Sequence, residues 1–391
     1  MRKRVLFLHH NFPGQFKNLA IHLDEEGHDI KFMIETNYVG KIGNIDNIEI
    51  ETPKNYKNSS LDGQIECGKR FLKGMKKLKT DGWIPDIVIS HAGWGCGVFA
   101  KDLFPNCLKI AYNEWWFSLE APEYRYDYGN KWFNFTEKAL QGARLRNLSL
   151  SYELCEADAV VSPTKWQAKQ LPKIIERDTQ IIHEGVDLDY FKYNPKFREE
   201  KKKRITYATR GLEPMRGFPQ FVEAVIPILK KHENIEICIA GQDKIIYGGT
   251  KPAEGSYWKW AKEIFKKEKI AGKVKYLGHL NLTQYARLLK SSHVHVYLTR
   301  PFVASWSLLE SMASGCCIVA NKIEAVEEFV DSESTCWCDL SNTTSISEAI
   351  DQALNLDNEK RHANGLAQRK RAQAYWDKSM ALDQWKKLLK C

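Results

Sequence analysis

Short apolar runs alternate with amphipathic stretches through the first half of the chain. Val5-Leu6-Phe7-Leu8 ends at His9-His10-Asn11, a run that predicts a buried strand, and Asn11-Phe12-Pro13-Gly14 predicts a turn after it. A helix is expected from about Gln15 to Glu26, stopped by Gly27, then a strand over Asp29–Glu35. Asn37–Ser60 reads as loop with an edge strand near Ile48–Glu51, and Leu61–Lys79 as helix. Further strands are predicted over Pro85–Ser90, Lys109–Tyr112, Ala159–Ser162 and Gln180–His183.

The pattern restarts after the charged run Phe197–Arg204. A strand at Ile205–Ala208 is followed by a helix (Phe218–His232), a strand (Ile235–Ala240) and an insertion carrying a helix (Tyr257–Glu268). A strand at Val274–Leu277, a helix at Thr283–Ser291, a strand at Val294–Leu298, a helix at Ser307–Ser314 and a strand at Cys316–Ala320 complete it. Strands alternating with helices imply parallel, doubly wound sheets, here two of them. The expected organisation is α/β: a Rossmann-like N-terminal domain over 1–192 and a second over 193–370. The aromatic-rich segment 371–391 forms a last helix that crosses back to the first domain. In such sheets ligands bind at the carboxyl ends of the strands, so two domains facing a central cleft would share one site.

Composition narrows the class. With 43% apolar and 27% charged residues the chain is neither disordered nor collagen-like. The first apolar run is too short for a signal peptide or a membrane span, and no other stretch approaches one, which leads to the expectation of a cytoplasmic protein. The 10 cysteines include no CxxC pair and no zinc-like spacing, so they read as reduced and mostly buried. A net charge of +9 with no nucleic-acid motif points to phosphate-bearing substrates or an anionic membrane surface. In Lys69–Lys79, Phe71, Met75 and Leu78 recur at helical spacing among lysines. That stripe suits either membrane docking or an ordinary core-facing helix.

Four segments carry candidate chemistry. In Ser305-Trp306-Ser307-Leu308-Leu309-Glu310-Ser311-Met312-Ala313, one glutamate interrupts an apolar helix. A carboxylate there suits paired ribose hydroxyls; the alternative is a solvated helix face. In Thr209-Arg210-Gly211-Leu212-Glu213-Pro214-Met215-Arg216-Gly217, two arginines flank a turn between a strand and a helix, as a diphosphate requires, or simply lie on the surface. Gly14 follows the first strand, where a glycine either lets backbone approach a phosphate or merely completes a Pro-Gly turn. His91, straight after another strand, is either catalytic or a structural hydrogen bonder.

These motifs, in order, resemble the family-4 retaining glycosyltransferases of the GT-B fold. The segments 11–16, 91–95, 162–167, 183–187 and 210–218 are similar to one bacterial-type subgroup. The resemblance implies that Glu310 holds the donor ribose and that Arg210 and Arg216 hold the diphosphate, the second being usually lysine. It implies that Gly14 nears the distal phosphate and His91 the transferred sugar, and that the nucleobase lies along Gly278, His279 and Leu280. The family's first glutamate, eight positions before Glu310, is replaced by Phe302. Backbone amides of Val303, Ala304 and Ser305 are then expected to bind the sugar hydroxyls.

The resemblance further implies transfer with retention from a nucleotide-diphosphate sugar to a glycan or lipid-linked acceptor, in cell-surface polysaccharide synthesis. No cofactor and no metal are expected, and Asp187-Leu188-Asp189 reads as structural. A nucleotide-sugar epimerase on the same fold and a non-catalytic nucleotide-sugar-binding subunit are the alternatives.

Overall fold

The computed structural model describes residues 2–390 except 36–40, 44, 54, 55, 57, 58, 128 and 199–201. Parts of the loop expected over Asn37–Ser60 and of the charged run Phe197–Arg204 lie outside the described residues. The chain divides into two compact units. The first comprises Met1–Ala121, Thr136–Gly185 and Lys378–Cys391; the second comprises Pro122–Phe135 and Val186–Asp377.

Among the described residues the first unit holds seven strands: β1 (Arg4–Leu8), β2 (Asp29–Glu35), β3 (Asp46–Ile50), β4 (Ile87–His91), β5 (Leu108–Tyr112), β6 (Ala159–Ser162) and β7 (Gln180–Ile181). They pair in parallel in the order β3-β2-β1-β4-β5-β6-β7. Because side chains alternate along a strand, β1 serves two cores. Val5 and Phe7 join Phe16, Phe32, Ile89 and Ile110 on one face. Leu6 and Leu8 join Met33, Phe71, Met75 and Val88 on the other.

The helix Leu61–Thr80 begins at a Ser60 cap and buries Phe71, Met75 and Leu78 in that second core. Its apolar stripe is therefore spent inside the protein, which decides between the two readings of this stripe in favour of the core-facing helix. Lys69, Lys73, Lys76 and Lys77 stay exposed, and Arg70 is drawn to the buried Glu35 at 2.6 Å. Among the described residues no helix is long and apolar enough to cross a membrane.

The second unit holds β8 (Lys203–Gly211), β9 (Ile235–Gln242), β10 (Val274–Gly278), β11 (Val294–Tyr297), β12 (Cys317–Asn321) and β13 (Cys336–Cys338), in the parallel order β10-β9-β8-β11-β12-β13. Ile205, Tyr207, Ile237, Ile239, Val294 and Val296 pack against the helices Phe218–Lys231 and Tyr257–Lys267. The first helix carries a proline at its second position, where no intrahelical N–H is lost.

Beyond the second sheet, the expected last helix is two, Asn358–Tyr375 and Lys378–Leu389. The first stays with its own unit, where Arg369 Nη1 donates to Phe191 O at 3.2 Å. The second joins the first unit, burying Trp385 and Leu389 in the core of β1 and pairing Lys386 with Glu26 at 2.5 Å.

Segment Pro122–Phe135 lies between the fifth and sixth strands of the first sheet in sequence, yet belongs to the second unit. Arg300 is its anchor. Its Nε donates to Glu123 O at 2.8 Å and its Nη2 to Tyr124 O at 3.3 Å; it pairs with Asp127, and its guanidinium lies 4.1 Å from the Phe133 ring centre.

Candidate functional site

Each sheet reverses its winding once, between β1 and β4 and between β8 and β11. At such a switch point the loops leaving the carboxyl ends of adjacent strands diverge and leave a crevice. In the first unit Gly14 follows β1 and His91 ends β4, the two strands of the switch point; in the second Arg216 and the loop 299–305 follow β8 and β11, while Gly278–Leu280 lie at the end of the edge strand β10.

In the second unit, β8 ends at Gly211 and feeds a turn of 3₁₀ helix, Pro214–Arg216, then Gly217 in the left-handed region, where a Cβ would lie 2.7 Å from Leu298. This turn folds Arg216 inward. The side chain is only 4% exposed, and its Nη1 donates to Thr299 Oγ1 at 2.8 Å and to Val303 O at 3.0 Å. Burial opposes the charge, but Tyr297, Tyr247 and Glu213 more than offset it, and the guanidinium is held above its ordinary pKa. Arg216 thus joins the loop after β8 to the loop after β11.

That second loop runs into the helix Trp306–Ala313, whose cap Ser305 accepts from Ser307 N at 3.1 Å. Arg216, Ser305 and Ser307, with Tyr207, Thr209, Tyr297, Ala208 and Leu298, line a cavity of about 10 Å³, room for about one water molecule. A buried arginine beside a helix N-terminus suits an anion: the helix end offers unpaired N–H groups and a favourable dipole. Ser305's own N–H is engaged by the Tyr297 hydroxyl at 2.8 Å, and Val303's carbonyl by Arg216. Of the three amides expected to meet sugar hydroxyls, Ser305's is therefore used inside the protein. Ala304 lies half-buried between them.

Glu310 sits farther along the same helix, half-buried. Burial lifts its carboxyl to about 7, an effect the nearby Tyr285 hydroxyl only partly offsets. Arg210, still on β8, is exposed, and its Nη1 reaches Tyr247 Oη at 3.5 Å. The two arginines are thus not equivalent: one is locked under the switch point, the other lies outside it. Gly278, at a positive φ of 63°, ends β10, with exposed His279 and half-buried Leu280 after it. Gly278 pairs with Ala240 of β9, and Leu280 packs on Ala208, Ala240 and Leu288. Parallel pairing puts this segment at the same end of the sheet as Arg216.

Two residues that sequence reasoning passed over complete this half. Glu213 is fully buried; one carboxylate oxygen accepts from the amides of Ile246 and Tyr247, both at 2.7 Å, and Gly248 at 3.3 Å. Burial raises its pKa, with those three amides and Arg216 pulling the other way. Tyr247, so held, places its ring 5.1 Å from the Arg216 guanidinium and 5.7 Å from the Phe302 ring. The one available signal was Glu213 itself, an acid within an otherwise apolar and basic turn.

In the first unit, Gly14 opens a 3₁₀ turn at φ 54°. A Cβ there would lie 2.4 Å from His9 Nε2, so the packed His9 ring accounts for the glycine. His9 Nδ1 accepts from Asn11 N at 2.8 Å, which leaves Nε2 to donate to Gln15 Oε1 at 2.9 Å; Gln15 Nε2 then donates to Glu114 Oε1 at 2.8 Å. Burial, then the neighbouring His91 and His10, push the His9 pKa well down, consistent with that neutral form.

His91, the last residue of β4, is buried; its ring centre is 4.6 Å from that of His9 and its Nε2 3.6 Å from Glu114 Oε2. Glu114, with a side chain 31% exposed, and half-buried Gln15 are the members of this set that meet solvent. His9, Gln15 and Glu114 were not singled out by the sequence reading, although His9 directly follows a predicted strand. Asp187 Oδ1 accepts from the amides of Asp189 at 3.1 Å and Tyr190 at 2.9 Å, making a local turn of the Asp-x-Asp segment.

Two Rossmann-like domains in one chain, each a parallel sheet wound about its own switch point, are the organisation of the GT-B fold. Comparison with known proteins agrees. Residues 26–191 match the family described as glycosyl transferase family 4 group, and residues 189–371 match glycosyl transferases group 1. The chain belongs to the family-4-type glycosyltransferases of the GT-B fold.

Among solved structures it is similar to sucrose-phosphate synthase from Thermosynechococcus elongatus, with TM-score 0.79 and 16% identity over 100% of this chain and 98% of that one. Anabaena HepE in complex with UDP and glucose gives 0.72 and 14% over 100% of both chains. The catalytic domain of starch synthase IV from Arabidopsis thaliana, bound to ADP and acarbose, gives 0.71 and 12% over 99% and 98%. A search of curated proteins finds no match in sequence.

Proposed function

We propose that the protein transfers a sugar from a nucleotide-diphosphate donor to a glycan or lipid-linked acceptor, with retention at the anomeric carbon and without a metal ion. The observation that carries the reading is Arg216: a buried arginine, held by Thr299 and Val303, beside the capped N-terminus of the helix that also bears Glu310. The solved structures of similar fold that contain UDP or ADP support a nucleotide-diphosphate donor.

In this reading Arg216 and the helix N-terminus stabilise the leaving diphosphate, the group on which negative charge develops. Nη1 is engaged inside the protein, so the remaining guanidinium edge is what it offers a phosphate. Exposed Arg210 adds a second charge as the donor enters, and Glu310 takes the ribose hydroxyls. The segment Gly278–Leu280 supplies backbone to the base. By the family resemblance Gly14 nears the distal phosphate and His91 the transferred sugar, with Glu114 Oε2 3.6 Å from His91 Nε2. A setting in cell-surface polysaccharide synthesis fits the subgroup resemblance, and the exposed lysines of Leu61–Thr80 would favour an anionic lipid surface.

Calorimetric titration with UDP, ADP and their glucose conjugates tests the reading, followed by product analysis with and without acceptor. Binding that is lost in Arg216→Ala supports it. A protein that binds none of these, or binds them equally well without Arg216, does not have its donor site here. Conversion of the donor sugar without any acceptor would instead identify an epimerase.

A further inference from the structure

We propose that Tyr247 and Phe302 form the wall against which the transferred sugar packs, so that this enzyme reads a pyranose by its apolar C–H face. The inference rests on the donor-site reading of Arg216 above and names what lies next to the phosphate in that site.

The loop that carries Tyr247 is built to hold it still. Three successive amides, of Ile246, Tyr247 and Gly248, converge on one oxygen of the buried Glu213. The loop is also closely packed at both ends: a Cβ on Gly249 would sit 2.5 Å from Pro214, and one on Gly211 of β8 would sit 2.5 Å from Lys244 O. The backbone is pinned, yet the Tyr247 side chain is 39% exposed. A residue so firmly placed and so open is placed for contact.

Tyr247 presents its ring to the Arg216 guanidinium at 5.1 Å, a stacking that leaves the guanidinium edge for an anion. Its other neighbour is half-buried Phe302, at 5.7 Å and inclined by 57°. In a nucleotide-diphosphate sugar the sugar is bonded directly to the distal phosphate. A sugar whose phosphate rests on Arg216 therefore lies within a few bonds of these two rings.

At position 302 there is no carboxylate to receive hydroxyls, and Arg300 two residues earlier is turned away into its own bonds with Glu123, Tyr124 and Asp127. What the site offers there is aromatic surface, and the matching part of a pyranose is its C–H face. The Tyr247 hydroxyl points to Arg210 at 3.5 Å, so it is the ring that serves as the wall.

The experiment compares a nucleoside diphosphate with the same molecule bearing a sugar, using UDP against UDP-glucose and ADP against ADP-glucose. Both are titrated calorimetrically into wild type, Tyr247→Ala, Tyr247→Phe and Phe302→Leu. Loss of the ring should weaken the sugar conjugate about tenfold more than the bare diphosphate, the scale of one aromatic contact. Tyr247→Phe keeps the ring and should stay within about threefold of wild type for both ligands. Phe302→Leu should shift the same ratio in the same direction as Tyr247→Ala.

Equal weakening of both ligands in Tyr247→Ala would mean that the ring serves only Arg216, and would overturn the assignment. So would a Tyr247→Phe variant as impaired as Tyr247→Ala, which would make the hydroxyl the contact. If wild type binds none of the four ligands, the donor-site reading itself fails, and this inference with it.

Discussion

Replacing Arg216 by alanine removes a guanidinium that is 4% exposed and donates at 2.8 Å and 3.0 Å to two protein oxygens. Two effects follow, on different scales. Hydrogen bonds from a charged group contribute about 1.5–3 kcal/mol each, so the loss together with the vacated space should destabilise the second unit by about 3 kcal/mol. For a unit of this size that is a fall in Tm of roughly 6–12 °C. The variant should nevertheless fold, because the cores of β8–β13 do not include it.

On the proposed function the effect on turnover should be larger. A buried donor aimed at developing negative charge is worth about a hundredfold to a thousandfold in kcat. Arg216→Lys restores the charge but not the fork, and should recover part of both losses. Differential scanning calorimetry, donor titration and steady-state rates measure the three quantities. Arg216→Ala melting with wild type and turning over within threefold of it would refute both the structural and the chemical argument.

Other expectations follow from the same site. Glu310→Ala should weaken donor binding by roughly tenfold to a hundredfold, as loss of paired charge-assisted hydrogen bonds predicts. The Glu310 carboxyl is raised to about 7, so donor affinity should rise with pH through about 7 as the carboxylate forms. The same raised pKa means that the neutral form stabilises the fold: this contribution is complete below about 4.5 and is lost as pH rises through about 7. A nucleotide-sugar titration from pH 5.5 to 8.5 reads the binding effect, and an affinity that is flat or falls with pH would sink it. Phe302→Glu should lower activity, because the new carboxylate faces the Tyr247 ring beside Arg216; a gain in rate would show that the position still accepts an acid. Glu213→Ala strands three backbone amides and should lower stability by about 2–4 kcal/mol, read as an earlier thermal transition. An unchanged transition would mean the loop is held by other contacts.

Much of this protein was legible in its sequence because apolar periodicity and strand-to-helix turns are local properties. The run Val5–Leu8, the alternation from Ile205 to Ala320 and the turns at Gly27 and Gly217 announce parallel sheets without reference to anything distant. The same local logic placed Arg216 and Ser305 at the turns before helices, and Glu310 on the helix that Ser305 opens, where ligands of such sheets bind.

What the sequence could not show is which of those polar residues would be buried, since burial depends on elements far apart in the chain. Arg216 looks like its neighbour Arg210 in the sequence; only the approach of the loop after β11 encloses one and leaves the other exposed. Glu213 acquires its role from amides 33–35 positions away, and Gly14 is packed by the ring of His9, five positions earlier in the chain. Phe71, Met75 and Leu78 carry a stripe that fits a membrane or a core equally well, and the packing of their helix on β1, β2 and β4 chose the core. The segment Pro122–Phe135 joins the second unit because Arg300, 173 residues beyond Asp127, reaches its backbone and its acid. A local pattern says where a side chain leaves the backbone, but its dielectric surroundings and partners come from the tertiary fold.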